Sequence, residues 1–116
     1  MSKRVPKLLL SDILEAASKI KIYTKGFSYT NFIADSKTTD AVIRNFEIIG
    51  EATKSISKEI KDANPDIPWK DMAGMRDVVI HNYFYVDYEM AWRTMKEDIP
   101  ILKKQIKKLK KKLKNV

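Results

Sequence analysis

The chain of 116 residues has no cysteine, which excludes disulfide frameworks and thiolate metal sites outright. It has only three glycines and four prolines, too few for the many turns of a sheet-rich domain and in keeping with long helices. It has one histidine, His81, and its carboxylates are scattered, so no metal-ligand spacing is recognisable and we expect no metal and no cofactor. No run approaches the roughly 18 apolar residues needed to span a bilayer. The opening "MSKRVPKLLLSDILEAASKI" has a basic start and a short apolar stretch, but Asp12 and Glu15 interrupt it before a signal-peptide core can form. The expectation is a soluble, cytoplasmic protein.

What is present is a strong charge asymmetry. From Ile101 onward, "ILKKQIKKLKKKLKNV" carries eight of the 23 lysines and arginines and no acid. The first hundred residues therefore hold 15 bases against 15 acids, and the whole net charge of +8 sits in the tail. A neutral body with a basic helix attached points to an electrostatic contact with RNA, DNA or an acidic partner; a solvated lysine face kept for solubility is the plain alternative. At this length, with 44% apolar residues, one compact domain is expected.

Periodicity predicts an all-α chain. Pro6 suits the first turn of a helix, along which Leu9, Ile13, Ala17 and Ile20 form a stripe, with Gly26 as the left-handed cap. "FSYTNFIADSKTT" reads as a connector holding a short helical turn. A second long helix, capped by Ser36 or Thr38, buries Val42, Phe46, Ile49, Ile56 and Ile60 and runs to "NPDIP". Its opposite side carries Arg44, Glu47, Glu51, Lys54 and Lys58. Trp69 opens a third helix, "WKDMAGMRDVVIH", whose Gly74 costs roughly 1 kcal/mol relative to alanine and suggests a second backbone close by. Asp87 caps the last helix, where Tyr88, Trp92, Met95, Ile99, Leu102, Ile106, Leu109 and Leu113 form a heptad seam that Pro100 should bend. The expectation is a four-to-five-helix bundle over residues 1–100. Residues 101–116 form a lysine-rich extension of the last helix, which reaches beyond the body and offers its seam to a partner. Trp69 and Trp92 are core residues by their spacing.

The stretch "RDVVIHNY" holds the histidine. On one straight helix, His81 would point about 140° away from Arg76, since each residue turns about 100°. Asn82 tolerates the left-handed conformation that ends helices, so a helix end near His81 lets His81 and Tyr83 fold back toward Arg76. Arginine holds a phosphate by two parallel N–H donors and stabilises charge developing on it. Histidine can take the proton of a ribose 2′-hydroxyl or give one to a leaving oxygen. Tyrosine can donate to a phosphate oxygen, stack on a base, or be modified. Transesterification of RNA needs both a base and an acid, and one histidine fills one role at a time. A two-fold homodimer joining two copies of the site would supply both. The plain readings are a helix-end histidine without chemistry, an Arg76 paired with Glu47 or Glu51, an Asp77 in an ordinary salt bridge, and a Tyr83 that packs like Tyr85 and Tyr88. Arg44, Asn45, Glu47 and Glu51 either edge such a cleft or belong to a solvated face or dimer contact.

Arg76-x4-His81-x-Tyr83 matches the arginine–histidine–tyrosine motif of the HEPN superfamily. Together with "AVIRNFEIIGEA", "DIPWKDMAGMRDVVIHNYFYVD" and "KEDIPILKKQI", the chain from about Leu9 to Ile106 resembles the HepT-like branch of it. The resemblance implies an all-helical HEPN-type bundle in a homodimer whose paired motifs line an interface cleft. It implies a metal-independent ribonuclease toxin with Arg76 and His81 catalytic and Asp77 supporting the histidine. It also implies a nucleotidyltransferase antitoxin as partner, which transfers AMP units to Tyr83 and blocks the site. Two other readings compete: a non-catalytic helical subunit that positions nucleotide or substrate for a nucleotidyltransferase, and a basic protein that binds nucleic acid through its tail alone.

Overall fold

The computed structural model describes residues 5–81 and 85–113, and of His81 the backbone. Helices dominate: α1 (Pro6–Tyr23), α2 (Tyr29–Ala34), α3 (Ser36–Lys54), α4 (Lys58–Ala63), α5 (Trp69–Ala73), α6 (Met75–Val79), α7 (Tyr88–Arg93) and α8 (Ile99–Lys112), with a π turn (Thr94–Asp98) joining the last two. Two short extended segments, β1 (Ile80–His81) and β2 (Tyr85–Val86), pair antiparallel between α6 and α7. The chain is an all-α bundle.

Local chemistry explains most boundaries. Pro6 stands in the first turn of α1, where a missing N–H costs nothing. The helix ends earlier than expected, with Thr24 at its C-cap; Gly26, at φ +78, lies two residues farther on, in the turn closed by the Phe27 N–H donating to the Thr24 carbonyl at 2.9 Å. The connector holds α2, closed by a capping box between Ser28 and Asn31. The cap of α3 is Asp35, not Ser36 or Thr38: its carboxylate accepts from the Thr38 backbone N–H at 3.2 Å and from the Thr38 hydroxyl at 3.0 Å. Those bonds hold the Asp35 carboxyl below its ordinary pKa. The second long helix stops at Lys54 rather than running to the prolines, because Ser57 caps a separate α4 by accepting from the Ile60 N–H.

α1 packs against α3 and α8, and α3 packs against α5 and α6. Leu10, Ile13 and Ile20 of α1, Val42, Phe46 and Ile49 of α3, and Leu102 and Ile106 of α8 are almost wholly removed from water. Each such side chain contributes about 1.5–3 kcal/mol. The exposed ion pairs Glu15–Lys19 and Lys58–Asp62 are worth at most about 1 kcal/mol apiece, so apolar burial and not surface charge holds the bundle. The lysine-rich half of the last helix is part of that core: Leu102, Ile106 and Leu109 are buried, and Gln105 donates to the Asp66 carbonyl at 3.1 Å. The seam expected to await a partner is filled by α1 of the same chain. Its first half is also largely core, with Met95 and Ile99 buried and Trp92 packed against the cluster they belong to, while Tyr88 at its start is left 38% exposed.

Pro100 acts through the π turn. It has no N–H to give, and its ring crowds the carbonyl four residues back, at Lys96. The turn widens, and the Ile99 N–H reaches the Thr94 carbonyl, five residues behind.

The close backbone approach lies elsewhere than expected. Nothing but its own helix comes near Gly74, which divides α5 from α6. Gly50 of α3 is the tight position: a Cβ there would stand 3.0 Å from the Ala73 carbonyl oxygen and 3.5 Å from that of Met72. Gly50→Ala should therefore lower stability in urea unfolding by roughly 1 kcal/mol, since overpacking outweighs the gain in helix propensity. Gly74→Ala, at φ −97 with ordinary contacts, should hold or raise stability by up to about 1 kcal/mol. A Gly50→Ala protein as stable as the wild type would refute the tight approach.

Candidate active site

Arg76 lies in α6, the five-residue helix that Gly74 starts and Ile80 ends. Ile80 is already extended, at φ −115 and ψ 118, so the helix stops two residues before His81, where a helix continuing to His81 was expected. The chain then doubles back, with Ile80 opposite Val86 and His81 opposite Tyr85. The Asp87 N–H donates to the Val79 carbonyl at 2.8 Å and closes the base of this hairpin. The Asp87 carboxylate accepts from the Met90 N–H at 3.0 Å and starts α7 directly beneath it. Behind α7, Trp92 packs edge-on to Tyr29 at 5.9 Å and tilted on Phe32 at 5.4 Å, tying the hairpin to α2. The hairpin base is thus fixed from both sides. Asn82 and Tyr83 lie outside the described residues, as does the side chain of His81.

The Arg76 side chain is 44% exposed. Its Nε lies 3.8 Å from Glu47 Oε2 and its Nη1 lies 3.8 Å from Asp77 Oδ1. The other Glu47 oxygen is held by Arg44 Nη1 at 2.8 Å, one turn back on α3. The tighter partner of Glu47 is Arg44, and Arg76 is oriented by two loose contacts worth a few tenths of a kcal/mol each in water. A guanidinium held this way keeps most of its fork of donors for an incoming oxyanion. A small concavity of about 180 Å³ opens beside it, lined by Glu47, Gly50, Glu51, Lys54, Ala73, Arg76 and Asp77.

The structure thus joins Arg76 to α3 through Glu47, with Asp77 attached to it through Arg76. Asp77 is 79% exposed and its recorded contact is with Arg76. Glu47 and Glu51 do border the concavity, and Glu51 is 3.6 Å from Lys54. Asn45 does not, being buried with its amide donating to the Ala41 carbonyl at 2.8 Å. The residue that sequence reasoning passed over is Gly50, whose missing side chain lets α3 and the α5–α6 junction meet. A glycine inside the apolar, strongly helical "FEIIGEA" was the available signal. Among the described residues, no helix is long and apolar enough to cross a membrane.

A second concavity, about 390 Å³, lies between the α5–α6 pair and the π turn; Asp71 and Asp98 border it beside Met72, Met75 and Met90. Partial burial, then the neighbouring charges of Glu97 and Asp71, push the Asp98 carboxyl above its ordinary pKa against the pull of Arg93.

Comparison with known proteins gives a consistent answer. The family model described as "Ribonuclease HepT-like" matches residues 13–109. "Probable ribonuclease HepT" of Thermococcus cleftensis is 50% identical over 109 residues, covering 94% of this chain and 99% of that protein. "Putative RNase MJ1380" of Methanocaldococcus jannaschii is 44% identical over 106 residues, covering 91% of this chain and 97% of that protein. No solved structure gives a significant match.

The raised Asp98 pKa has a stability consequence. A carboxyl that is harder to ionise in the folded state stabilises the fold only while protonated, and that contribution is lost as pH rises through the folded pKa. Asp98→Asn should therefore raise the melting temperature at pH 7, with the difference from wild type vanishing below about pH 4, where both side chains are neutral. A variant less stable at pH 7 would show that the charged form is the favoured one.

Proposed function

Because the chain belongs to the HepT-like ribonuclease family, we propose that it is a metal-independent endoribonuclease toxin. In this reading it cleaves RNA with Arg76 and His81 at a cleft between two copies, and a nucleotidyltransferase antitoxin silences it by adding AMP to Tyr83. The observation that carries the chemistry is the loosely held, exposed guanidinium of Arg76, one turn before a helix end that sends the backbone back on itself at His81.

The reaction balances with two imidazoles. One His81, neutral, takes the proton of the ribose 2′-hydroxyl, and the 2′-oxygen attacks phosphorus. The bond from phosphorus to the 5′-oxygen breaks, and the second copy's His81, protonated, gives its proton to that oxygen. The products are a 2′,3′-cyclic phosphate and a 5′-hydroxyl. Arg76 stabilises the negative charge that grows on the non-bridging oxygens. Two copies are needed because each chain has one histidine. Val78 at 43% exposure and Tyr85 at 57% give the motif edge an apolar surface that a second copy would cover. Asp77 serves by holding Arg76 as much as by any contact with His81. AMP on Tyr83, two residues from His81, would place an anionic, bulky group where the RNA phosphate has to sit.

The test is cleavage of an oligoribonucleotide in EDTA, with intact mass measured on protein made alone and with a nucleotidyltransferase partner. Unmodified protein should cleave, His81→Ala and Arg76→Ala should each lose about 10²- to 10⁴-fold with unchanged melting temperature, and mass increments of whole AMP units should disappear in Tyr83→Phe. A folded, unmodified dimer that leaves RNA intact would overturn the toxin reading in favour of a non-catalytic subunit that presents nucleotide to its partner.

A further inference from the structure

A hollow with an apolar floor lies away from the motif. A groove of about 540 Å³ runs between the C-terminal half of α1 and the start of α8. Its floor is aliphatic: Ala17 and Ile20 from α1, with Met95, Ile99 and Pro100 from the last helix. Its rim is cationic on both walls, with Lys21 and Lys25 on one side and Lys96, Lys103, Lys104 and Lys107 on the other. No acid is among its lining residues, although the chain carries 15. No ion pair joins any of these six lysines to a carboxylate among the described residues. Lys96 alone has an assigned partner, the face of Trp92, at 4.8 Å.

This is the reverse of the concavity at Arg76, where three carboxylates stand against two cations, and the two share no lining residue. From Met95 to Lys107 the groove follows about 18 Å of helix, and Lys103 and Lys107 are about 6 Å apart along it. The spacing suits a chain of repeating anions rather than a single one. Its one hydroxyl, Thr24 Oγ1, already donates to the Ile20 carbonyl at 2.8 Å. The groove therefore offers charge and apolar contact and little that would read a base edge.

We propose that this α1–α8 groove is a binding track for an RNA strand, separate from the cleavage centre, that holds phosphates on its six lysines and packs ribose and base faces on the aliphatic floor. It resists dissociation and adds affinity without adding sequence preference. The proposal rests on the ribonuclease reading for its ligand, but binding and cleavage can be measured apart.

The experiment uses the full chain and an unstructured 20-nucleotide RNA carrying 2′-O-methyl groups, which cannot be cleaved through the 2′-oxygen. Fluorescence anisotropy against salt should give a log–log slope of about −4 for six phosphate contacts on a single strand. Lys103→Glu with Lys107→Glu should bind at least about 10-fold more weakly at physiological salt and flatten the slope by about 1.4. Lys61→Glu with Lys70→Glu, the same change in net charge outside the groove, should stay within about 3-fold of wild type. With cleavable RNA, the groove pair should raise KM for the 20-mer and leave kcat, and the cleavage of a dinucleotide, unchanged. Equal losses in both pairs, or normal binding by the groove pair, would overturn the proposal. So would preferential binding of an acidic Glu/Leu helical peptide over RNA. Wild-type protein that binds the methylated RNA through the groove yet cleaves nothing would sink the ribonuclease reading and leave the track standing.

Discussion

The close passage of α3 beside the carbonyls of Met72 and Ala73 is the contact on which the candidate site depends. It exists because residue 50 has no side chain. Glu47 lies one turn before Gly50 on α3, and Arg76 lies three residues after Ala73, so this single approach sets the distance between carboxylate and guanidinium. The two contacts Arg76 makes are long, and neither has the energy to fix the helices by itself. Backbone proximity positions the ions, and the ions only orient the side chain. The same junction carries α6, whose early end turns the chain toward His81.

Charge is divided between two places. Around Arg76 the acids and bases nearly cancel, so the pocket itself draws no polyanion from a distance. Along α8 the lysines stand unopposed. A long-range field and a local chemical group impose conflicting demands on one spot, because a cluster of cations dense enough to attract RNA would also depress the pKa of a neighbouring imidazole.

Much of the bundle was legible because burial and helical period coincide. The stripes of α1 and α3 and the seam of α8 are the residues found in the core. Local competition was harder to read. Asp35 outbids Ser36 and Thr38 as a cap because its carboxylate reaches two donors at once. Ser57 breaks a helix that apolar spacing alone would have continued through Ile60. The exposed lysines of the last helix suggested a free extension, yet the stems of a basic helix can flank a buried stripe, and α1 covers it. At the site, a pairing of Arg76 with Glu47 or Glu51 was readable from residue type as the plain alternative to chemistry, and the structure gives that contact to Glu47. The hairpin was not, because two-residue strands leave no periodic trace and are set by the bond from Asp87 to Val79.

The π turn gives the last helix an uneven tolerance to changes in length. A widened turn holds one residue more than an α turn, so a one-residue deletion within Thr94–Asp98 can be absorbed there while the faces on either side keep their phase. The same deletion between Leu102 and Leu109 would rotate everything beyond it by about 100° and turn buried leucine into solvent. Pro100 limits even the permissive stretch, since its ring needs the wider turn. Drift in this helix is thus governed by where its length changes at least as much as by which residues it carries.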